Sequence, residues 1–263
     1  MPPRPPIMQV QGLSAQAGSR TILHDIDFEV RHGEVLVIMG PSGCGKSTLL
    51  RHLVGLQRPL AGRVLLEGQD LHEGDEDTRA ALRRRFGVMF QAGALWSSMS
   101  VGENLMLPMR LFTRLERAER EERARRGLAL VGLEGGFDLL PAELSGGMRK
   151  RAALARALAL DPPLVFLDEP GSGLDPLNVI RLDELVLELR HHLGKTVVMV
   201  THDISSVLAV ADRALYLDEQ DMTMTALGTP QDLLDHGPPA VKRFLALGGS
   251  RPGGAAGTRG AGA

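Results

Sequence analysis

A glycine-rich loop placed between an apolar run and a helical pattern constrains this chain more than any other feature. The loop reads Gly40-Pro41-Ser42-Gly43-Cys44-Gly45-Lys46-Ser47, and it directly follows the apolar run Val35–Met39. Glycines at positions 43 and 45 allow consecutive backbone N–H groups to approach phosphate oxygens, and the N-terminus of a following helix adds a favourable dipole. The sequence therefore predicts a strand–loop–helix unit that binds phosphate groups inside an α/β core.

Short runs of Val, Ile and Leu alternate with helical patterns along the rest of the chain. This alternation favours a mostly parallel sheet covered by helices. Two early segments, residues 8–13 and 26–30, are typical of antiparallel strands beside the core. The strands predicted for the parallel sheet are residues 35–39, 64–66, 88–90, 164–167, 196–200 and 214–217.

Residues 92–161 differ in character, because β-branched residues become rare and Ala, Leu, Arg and Glu dominate. We expect an α-helical subdomain inserted into the core there. Its charged segment, residues 115–130, is better explained as a solvated helix face than as a surface for lipid headgroups. The predicted organisation is a core of residues 8–91 and 162–229, C-terminal helices at 230–247, and unstructured ends at 1–7 and 248–263.

Composition excludes several classes of protein. The chain has 263 residues, a net charge of −2 and a pI near 6.5, so nothing general favours nucleic acid or anionic lipid. No apolar run reaches the roughly 18 residues that a membrane span needs, and the N-terminus lacks the apolar segment of a signal peptide. The single cysteine excludes an intrachain disulfide and a CxxC metal site. We therefore expect a cytosolic protein that acts on a membrane only through a partner.

Two acidic residues, Asp168 and Glu169, follow the apolar residues 164–167. Ligands of open α/β sheets bind at the carboxyl ends of the strands. Asp168 is expected to hold the Mg²⁺ shell, and Glu169 to orient or deprotonate an attacking water. The alternative is that two acids simply begin a loop before Pro170, but the phosphate loop upstream favours the catalytic interpretation.

Leu144-Ser145-Gly146-Gly147 opens a long helical pattern. Ser145 is a good N-cap residue, so one interpretation is a helix cap and nothing more. The other is a second phosphate clamp, in which the Ser145 hydroxyl and the N–H groups of Gly146 and Gly147 point at a γ-phosphate. Gln91 after one predicted strand and His202 after another complete an ordered series of motifs, although each residue alone would be ordinary.

Taken in order, these motifs resemble the nucleotide-binding subunit of ATP-binding-cassette (ABC) transporters over residues 8–247. The resemblance implies a P-loop NTPase (RecA-like) core with an antiparallel β subdomain and an inserted α-helical subdomain. It also implies that two chains hold two ATP molecules head to tail, with Ser145, Gly146 and Gly147 reaching the partner's nucleotide and Asp175 at the dimer interface.

The same resemblance assigns roles within one subunit. The catalytic groups are Glu169, His202, Gln91 and Lys46, with His202 near the γ-phosphate. The Mg²⁺ ligands are Ser47, Gln91 and Asp168. The residues implied to bind ATP are Gly40, Pro41, Ser42, Gly43, Cys44, Gly45, Lys46, Ser47 and Thr48.

Residues 90–105 and 144–157 look most similar to ATPases of the Mla/Mkl-type phospholipid (MCE-associated) transporters. That similarity implies an integral membrane permease, an MCE-domain substrate-binding protein, often a STAS-domain subunit, and a peripheral position at the cytoplasmic face of the inner membrane. The runner-up is the ATPase of another importer, for example for amino acids. A non-transport ABC ATPase of DNA repair or translation is disfavoured, since such proteins carry a long coiled coil, zinc-binding cysteines or two cassettes.

Three positions leave questions for the structure. The segment around Ala17 lacks the aromatic residue that many family members stack on adenine, so base selectivity is open. Trp96 is equally compatible with core packing and with docking into a permease. Cys44 lies near a helix N-terminus, a setting that lowers a thiol pKa, and we expect a maleimide to reach it and to block phosphate binding.

Overall fold

The computed structural model describes residues 5–247, which form two sheets and a set of helices. A four-stranded antiparallel sheet has the order β2-β1-β4-β5, and a six-stranded sheet has the order β10-β9-β3-β8-β7-β6. The strands are β1 (Met8–Ala17), β2 (Arg20–Val30), β3 (Val35–Met39), β4 (Ala61–Leu66), β5 (Gln69–Asp70), β6 (Phe86–Met89), β7 (Leu164–Asp168), β8 (Thr196–Val200), β9 (Arg213–Leu217) and β10 (Met224–Gly228).

The centre of the six-stranded sheet is parallel, with β3 between β8 and β9, and β7 between β8 and β6. Every residue of β3 and β8 is buried, as continuous apolar runs predict for strands that are covered on both faces. Five of the predicted strands fall in this sheet. The strand at 64–66 is the exception, because it belongs to β4 in the antiparallel sheet.

The antiparallel sheet packs its apolar side chains against one face of the six-stranded sheet. There they form one hydrophobic cluster with residues of β3, β7 and β8. The prediction that residues 1–7 are unstructured is wrong for Ile7. Ile7 is fully buried, its N–H donates to Val30 O at 2.9 Å, and its carbonyl accepts from Glu67 N at 2.8 Å. The tail predicted at 248–263 lies outside the described residues, as do residues 1–4.

The helices that position the site are α1 after β3 and α3 to α5 between β6 and β7. Helices α3, α4 and α5 pack on one another, and α5 also packs on β6. No helix within residues 5–247 is long and apolar enough to cross a membrane. The helices are α1 (Lys46–Leu53), α2 (Glu76–Arg83), α3 (Val101–Phe112), α4 (Arg117–Leu130), α5 (Gly146–Ala157), α6 (Pro176–His191), α7 (Ile204–Val210), α8 (Pro230–His236) and α9 (Pro239–Ala246).

Candidate nucleotide site

An open cavity of about 390 Å³ lies at the carboxyl edge of the parallel strands. The segments that meet there follow β3, β6, β7 and β8, and they are far apart in the sequence. Parallel strands bring such segments together because all their carboxyl ends reach the same edge. The residues that line the cavity are Ile22, Ser42, Gly43, Gly45, Lys46, Ser47, Thr48, Gln91, Glu169 and His202.

The phosphate loop has the backbone that its glycines predict. Gly43 and Gly45 have φ of 88° and 98°, which L-residues with a side chain rarely adopt, and Gly45 is the N-cap of α1. The Lys46 ammonium is buried beneath the loop, where Nζ donates to Gly40 O and Pro41 O, each at 2.8 Å. Ser47 is exposed and Thr48 half-buried at the start of α1. The loop therefore offers backbone N–H groups, one ammonium and hydroxyls at a single helix N-terminus.

The structure contradicts the prediction of a reactive thiol at Cys44. It is buried beneath the loop, and burial raises the pKa of its thiol even though the Lys46 charge acts in the opposite direction. A buried thiol with a raised pKa is a poor nucleophile, whatever its proximity to a helix N-terminus. Ready alkylation at this position is therefore not expected.

Glu169 stands in an unusual backbone conformation just after β7. Its φ is 46°, in the left-handed region that costs a residue with a side chain conformational energy. Its N–H donates to Val200 O at 2.8 Å, which ties it to the end of β8. The residue is only 8% exposed, and Oε1 accepts from His202 Nδ1 at 2.9 Å. The fold thus aims this carboxylate into the cavity and pairs it with His202.

Asp168 is the neighbouring carboxylate, and its environment differs. Burial, followed by the charge of Glu169, raises the pKa of Asp168, while the Lys150 charge opposes the increase. Within the described part of the chain, Asp168 Oδ1 is buried without a hydrogen-bond partner. A buried carboxylate oxygen that lacks a donor is well suited to a hard cation or to its bound water. The Ser47 hydroxyl and the Gln91 amide line the cavity, whereas Asp168 is not among its lining residues. All three side chains offer the oxygen donors that Mg²⁺ prefers.

Lys150 is a residue at this site that the sequence reasoning did not identify. It lies on α5, it is 9% exposed, and Nζ donates to Gln91 O and, at 3.1 Å, to Glu169 O. The run Arg149-Lys150-Arg151 was visible, but three consecutive cations on a helix point in different directions. Nothing in the local sequence distinguishes the one that turns inward.

The second predicted clamp lies away from this cavity. Ser145 caps α5, since its Oγ accepts from Met148 N at 3.2 Å, and both Ser145 and Gly146 are exposed. A Cβ placed on Gly147 would lie 3.0 Å from the Asn178 side chain, so the clamp abuts the start of α6. None of Ser145, Gly146 and Gly147 lines the cavity of their own subunit.

Asp175 is the N-cap of α6, where Oδ1 accepts from Leu177 N and Asn178 N, each at 3.1 Å. Hydrogen bonds from Asn178 are the main cause of a pKa below the ordinary value for this carboxyl. Asp175 therefore has a local role as a helix cap. Its predicted place at a dimer interface is compatible with its exposed position.

Trp96 is not a core residue, because 59% of its surface is exposed. The loop that carries it is nevertheless well held. The fully buried Asn104 accepts from Trp96 N at 2.8 Å and donates to Trp96 O, Met99 O and Ser100 O at 2.9–3.2 Å. A loop held by these hydrogen bonds therefore presents the Trp96 indole to solvent.

Residues 23–172, more than half of the chain, match the ABC transporter family model. The chain is 40% identical over 238 residues to the probable ribonucleotide transport ATP-binding protein mkl of Mycobacterium leprae, covering 90% of this chain and 68% of that protein. It is 39% identical over 239 residues to the intermembrane phospholipid transport system ATP-binding protein MlaF of Escherichia coli K12, covering 91% and 88%.

Solved structures agree with the sequence relatives. The dimeric ABC transporter cassette MJ0796 superposes with a TM-score of 0.78 at 32% identity, covering 84% of this chain and 98% of that one. The same cassette in a dimeric post-hydrolysis state bound to ADP and Pi gives a TM-score of 0.77, also at 32% identity and the same coverage. These findings confirm the predicted P-loop fold with its antiparallel sheet and inserted helices. The chain belongs to the ABC transporter family and is an ATP-binding ATPase subunit of that family.

Proposed function

We propose that this subunit hydrolyses MgATP at the cavity described above, as a nucleotide-sandwich dimer on a membrane permease, to drive phospholipid traffic across the cell envelope. The observation that carries the catalytic part is the convergence of the phosphate loop, Gln91, Glu169 and His202 on one cavity. No other cavity described in residues 5–247 brings phosphate-binding groups and a carboxylate–histidine pair together.

Within one subunit, the loop N–H groups and Lys46 bind the phosphates, and Glu169 acts on water. The carboxylate is held by its own backbone bond to Val200 and by His202 Nδ1, so it meets a bound water in a fixed orientation. His202 is mostly exposed at the cavity mouth. Because Nδ1 already donates to Glu169, a bond to a γ-phosphate oxygen comes from Nε2 and requires that this nitrogen also carries a proton. A positioned carboxylate of this type contributes about 10²- to 10⁴-fold to a proton transfer.

Magnesium would be held by Ser47, Gln91 and Asp168, and when bound it neutralises charge on the phosphates. Asp168 supports this assignment because its unpartnered oxygen is the one buried carboxylate atom among residues 5–247 that lacks a donor. Removal of Mg²⁺ by a chelator is therefore expected to abolish hydrolysis, with recovery on readdition.

The sandwich dimer follows from the position of the second clamp. Ser145, Gly146 and Gly147 do not reach the cavity of their own subunit. Ser145 and Gly146 are exposed at the N-terminus of α5, near the α6 cap at Asp175. Such an N-terminus attracts the phosphates of a nucleotide that another copy holds. The dimeric state of the related cassette MJ0796 supports this arrangement.

Glu169→Gln tests the catalytic assignment. The amide can orient water but cannot accept its proton, so we expect nucleotide binding to persist and hydrolysis to fall by about 10²-fold or more. Size-exclusion chromatography with MgATP should show the variant accumulating as a dimer. Glu184→Gln, an exposed carboxylate on α6, is the matched control. Hydrolysis near the wild-type rate in Glu169→Gln would refute the role.

A permease is the expected occupant of an apolar groove of about 430 Å³ between α2, β6, α3 and α5. Leu111 and Phe112, both half or more exposed, line it. Arg156 also lines it and donates to Gly93 O and Ala94 O, the loop that carries Trp96. An element bound here contacts the core and the helices between β6 and β7 at once, and membership of a transporter family supports a permease as that element.

Trp96→Ala and Leu111→Ala should weaken assembly with the permease, since truncated aromatic anchors commonly cost about 2 kcal/mol or more at an interface. Nucleotide binding by the isolated subunit should be unchanged. The matched control is Leu60→Ala, equally exposed but located just before β4 of the antiparallel sheet. Normal permease capture by both test variants would remove this docking assignment.

The transported substrate is the most specific element of the proposed function. The relatives' names disagree, with phospholipid transport for MlaF and ribonucleotide transport for mkl. We favour phospholipid, together with an MCE-domain protein, a possible STAS-domain subunit, and attachment at the cytoplasmic face of the inner membrane. Nucleic acid is not an expected partner.

Purification from detergent-solubilised membranes identifies the partners, and a permease with an MCE-domain protein would support the assembly. Reconstituted complex should show ATPase activity that rises with phospholipid in the vesicles. A response to ribonucleotides or amino acids instead would overturn the phospholipid assignment. Co-purified ribosomes or DNA would overturn the transport role itself.

A further inference from the structure

Helix α5 is joined to its surroundings by cationic side chains that donate to backbone carbonyls. Lys150 reaches Gln91 O and Glu169 O, Arg156 reaches Gly93 O and Ala94 O, and Arg151 reaches Val131 O and Gly132 O at 2.8 and 3.0 Å. The three side chains make the same kind of contact to different targets. Only Lys150 donates to residues that line the nucleotide cavity, namely Gln91 after β6 and Glu169 after β7.

The Lys150 ammonium is buried, so it needs hydrogen-bond acceptors or opposite charges to replace the water that it has lost. Burial lowers the pKa of this ammonium, while the nearby carboxylates of Asp168 and Glu169 act in the opposite direction. Two carbonyl acceptors and two flanking carboxylates compensate for the lost hydration. Since the acceptors are main-chain atoms of Gln91 and Glu169, the side chain constrains the backbone that aims both groups.

The other end of the helix carries the second clamp. Ser145 caps α5 at its N-terminus, and Lys150 lies fewer than two turns further along the same helix. Close packing fixes the C-terminal end of α5 against β6, because a Cβ on Gly87 would lie 2.0 Å from the carbonyl oxygen of Ala157, the last residue of the helix. A shift of the clamp is therefore transmitted along a stiff helix to the Lys150 ammonium.

We propose that Lys150 is a positioning residue that couples the two ATP sites of the dimer, because it ties the helix that reads the partner's nucleotide to the backbone of Gln91 and Glu169 in its own site. Engagement of Ser145–Gly147 by the nucleotide of one subunit then sets the orientation of Glu169 in the other site of the pair. This inference rests on the proposed sandwich dimer and on the proposed role of Glu169.

The test compares Lys150→Met with Arg151→Met in the full-length subunit. Lys150→Met keeps the length of the side chain but removes both donors. We expect kcat to fall by about 10- to 100-fold, the size of effect that misplacement of a catalytic group by about 1 Å produces. Nucleotide binding by the monomer, measured with a fluorescent ATP analogue, should change by less than about 2-fold, since no phosphate contact is lost.

Cooperativity separates positioning from simple stabilisation. The Hill coefficient for ATP hydrolysis should fall toward 1 in Lys150→Met, and Lys150→Arg should restore both kcat and cooperativity because guanidinium can donate to both carbonyls. Arg151→Met loses bonds of the same type within the helical region, so it should lower the melting temperature while retaining kcat and cooperativity. If Lys150→Met does not fold, Lys150→Gln takes its place.

Two outcomes overturn the inference. One is a Lys150 variant with wild-type kcat and Hill coefficient, and the other is an equal loss in Arg151→Met. Glu169→Gln in parallel distinguishes failure of the proposed function. If Glu169→Gln still hydrolyses ATP, the catalytic assignment has failed; if it does not and Lys150→Met is normal, only the coupling has failed.

Discussion

The carboxyl edge of the parallel sheet and the helix that carries the second clamp are built in different ways. At the sheet edge, Gly40, Gln91 and Glu169 follow strands whose side chains are almost entirely buried, and main-chain bonds such as Glu169 N to Val200 O set their positions. Helix α5 instead packs on β6 and reaches this edge through the long side chain of Lys150. The groups at this edge therefore depend on the core, whereas their connection to the clamp depends on the packing of α5 and on one buried ammonium.

This difference indicates which part of the molecule can change conformation at low cost. A ladder of buried strands changes only as a unit, since its interior is close-packed. A side chain that donates to a carbonyl can release and reform that bond at a cost of about 1–3 kcal/mol. Motion that responds to a nucleotide is thus expected where α5 contacts the sheet edge. The substitutions below compare the buried core with more weakly held parts of the molecule, from the largest expected effect to the smallest.

Phe166→Ala should have the largest effect on stability. The ring is fully buried in β7 and packs edge-on against Phe86, with centroids 5.3 Å apart. Loss of a buried aromatic ring costs about 3–5 kcal/mol, measurable as a lower free energy of unfolding in urea. The exposed Leu193→Ala serves as control. A cost below about 1 kcal/mol would mean that the core does not hold the catalytic edge as described.

Asn104→Ala should cost less, about 1–3 kcal/mol, because it removes the bonds that hold the Trp96 loop without opening the main core. Trp96 is the sole tryptophan, so its fluorescence reports on this loop. Acrylamide quenching should increase in the variant and stay unchanged in Ser97→Ala, an exposed residue of the same loop. Unaltered quenching in Asn104→Ala would show that other contacts order the loop.

Asp183 on α6 predicts a pH dependence. Burial raises the pKa of this carboxyl to about 6, although the Ser206 hydroxyl donates to it at 3.0 Å. The folded chain then holds a proton that the unfolded chain releases near pH 4, so stability falls as pH rises between about 4 and 6. Asp183→Asn should be more stable than the wild type at pH 7.5, with the difference shrinking toward pH 4. A constant difference in melting temperature across that range would contradict the assignment.

Trp96→Ala should have the smallest effect on the isolated subunit, within about 0.5 kcal/mol, because most of the indole already faces solvent. Thermal melting of the purified subunit measures it, with Ser97→Ala as the reference. A loss of several degrees would show that the indole supports the fold, and would weaken its use as a docking anchor.

Much of the site was predictable because its residues follow strands directly. Val35–Met39 and Thr196–Val200 are recognisable from their apolar runs, and the polar residues after them must meet at one sheet edge. That Gly45, Glu169 and His202 lie around one cavity could therefore be predicted from the sequence. Burial was harder to anticipate, as Ile7 and Cys44 show: a short flanking segment and a loop thiol are both covered by parts of the chain distant in sequence.

What the sequence by itself determined is the order of motifs, and through strand periodicity the edge at which they converge. What only the tertiary structure decided is which of several similar side chains connects that edge to the rest. Arg149, Lys150 and Arg151 are chemically alike, and the packing of α5 against β6 selects Lys150 to turn inward. A helix turns by about 100° per residue, so the choice depends on the direction from which the core approaches, which no local pattern contains.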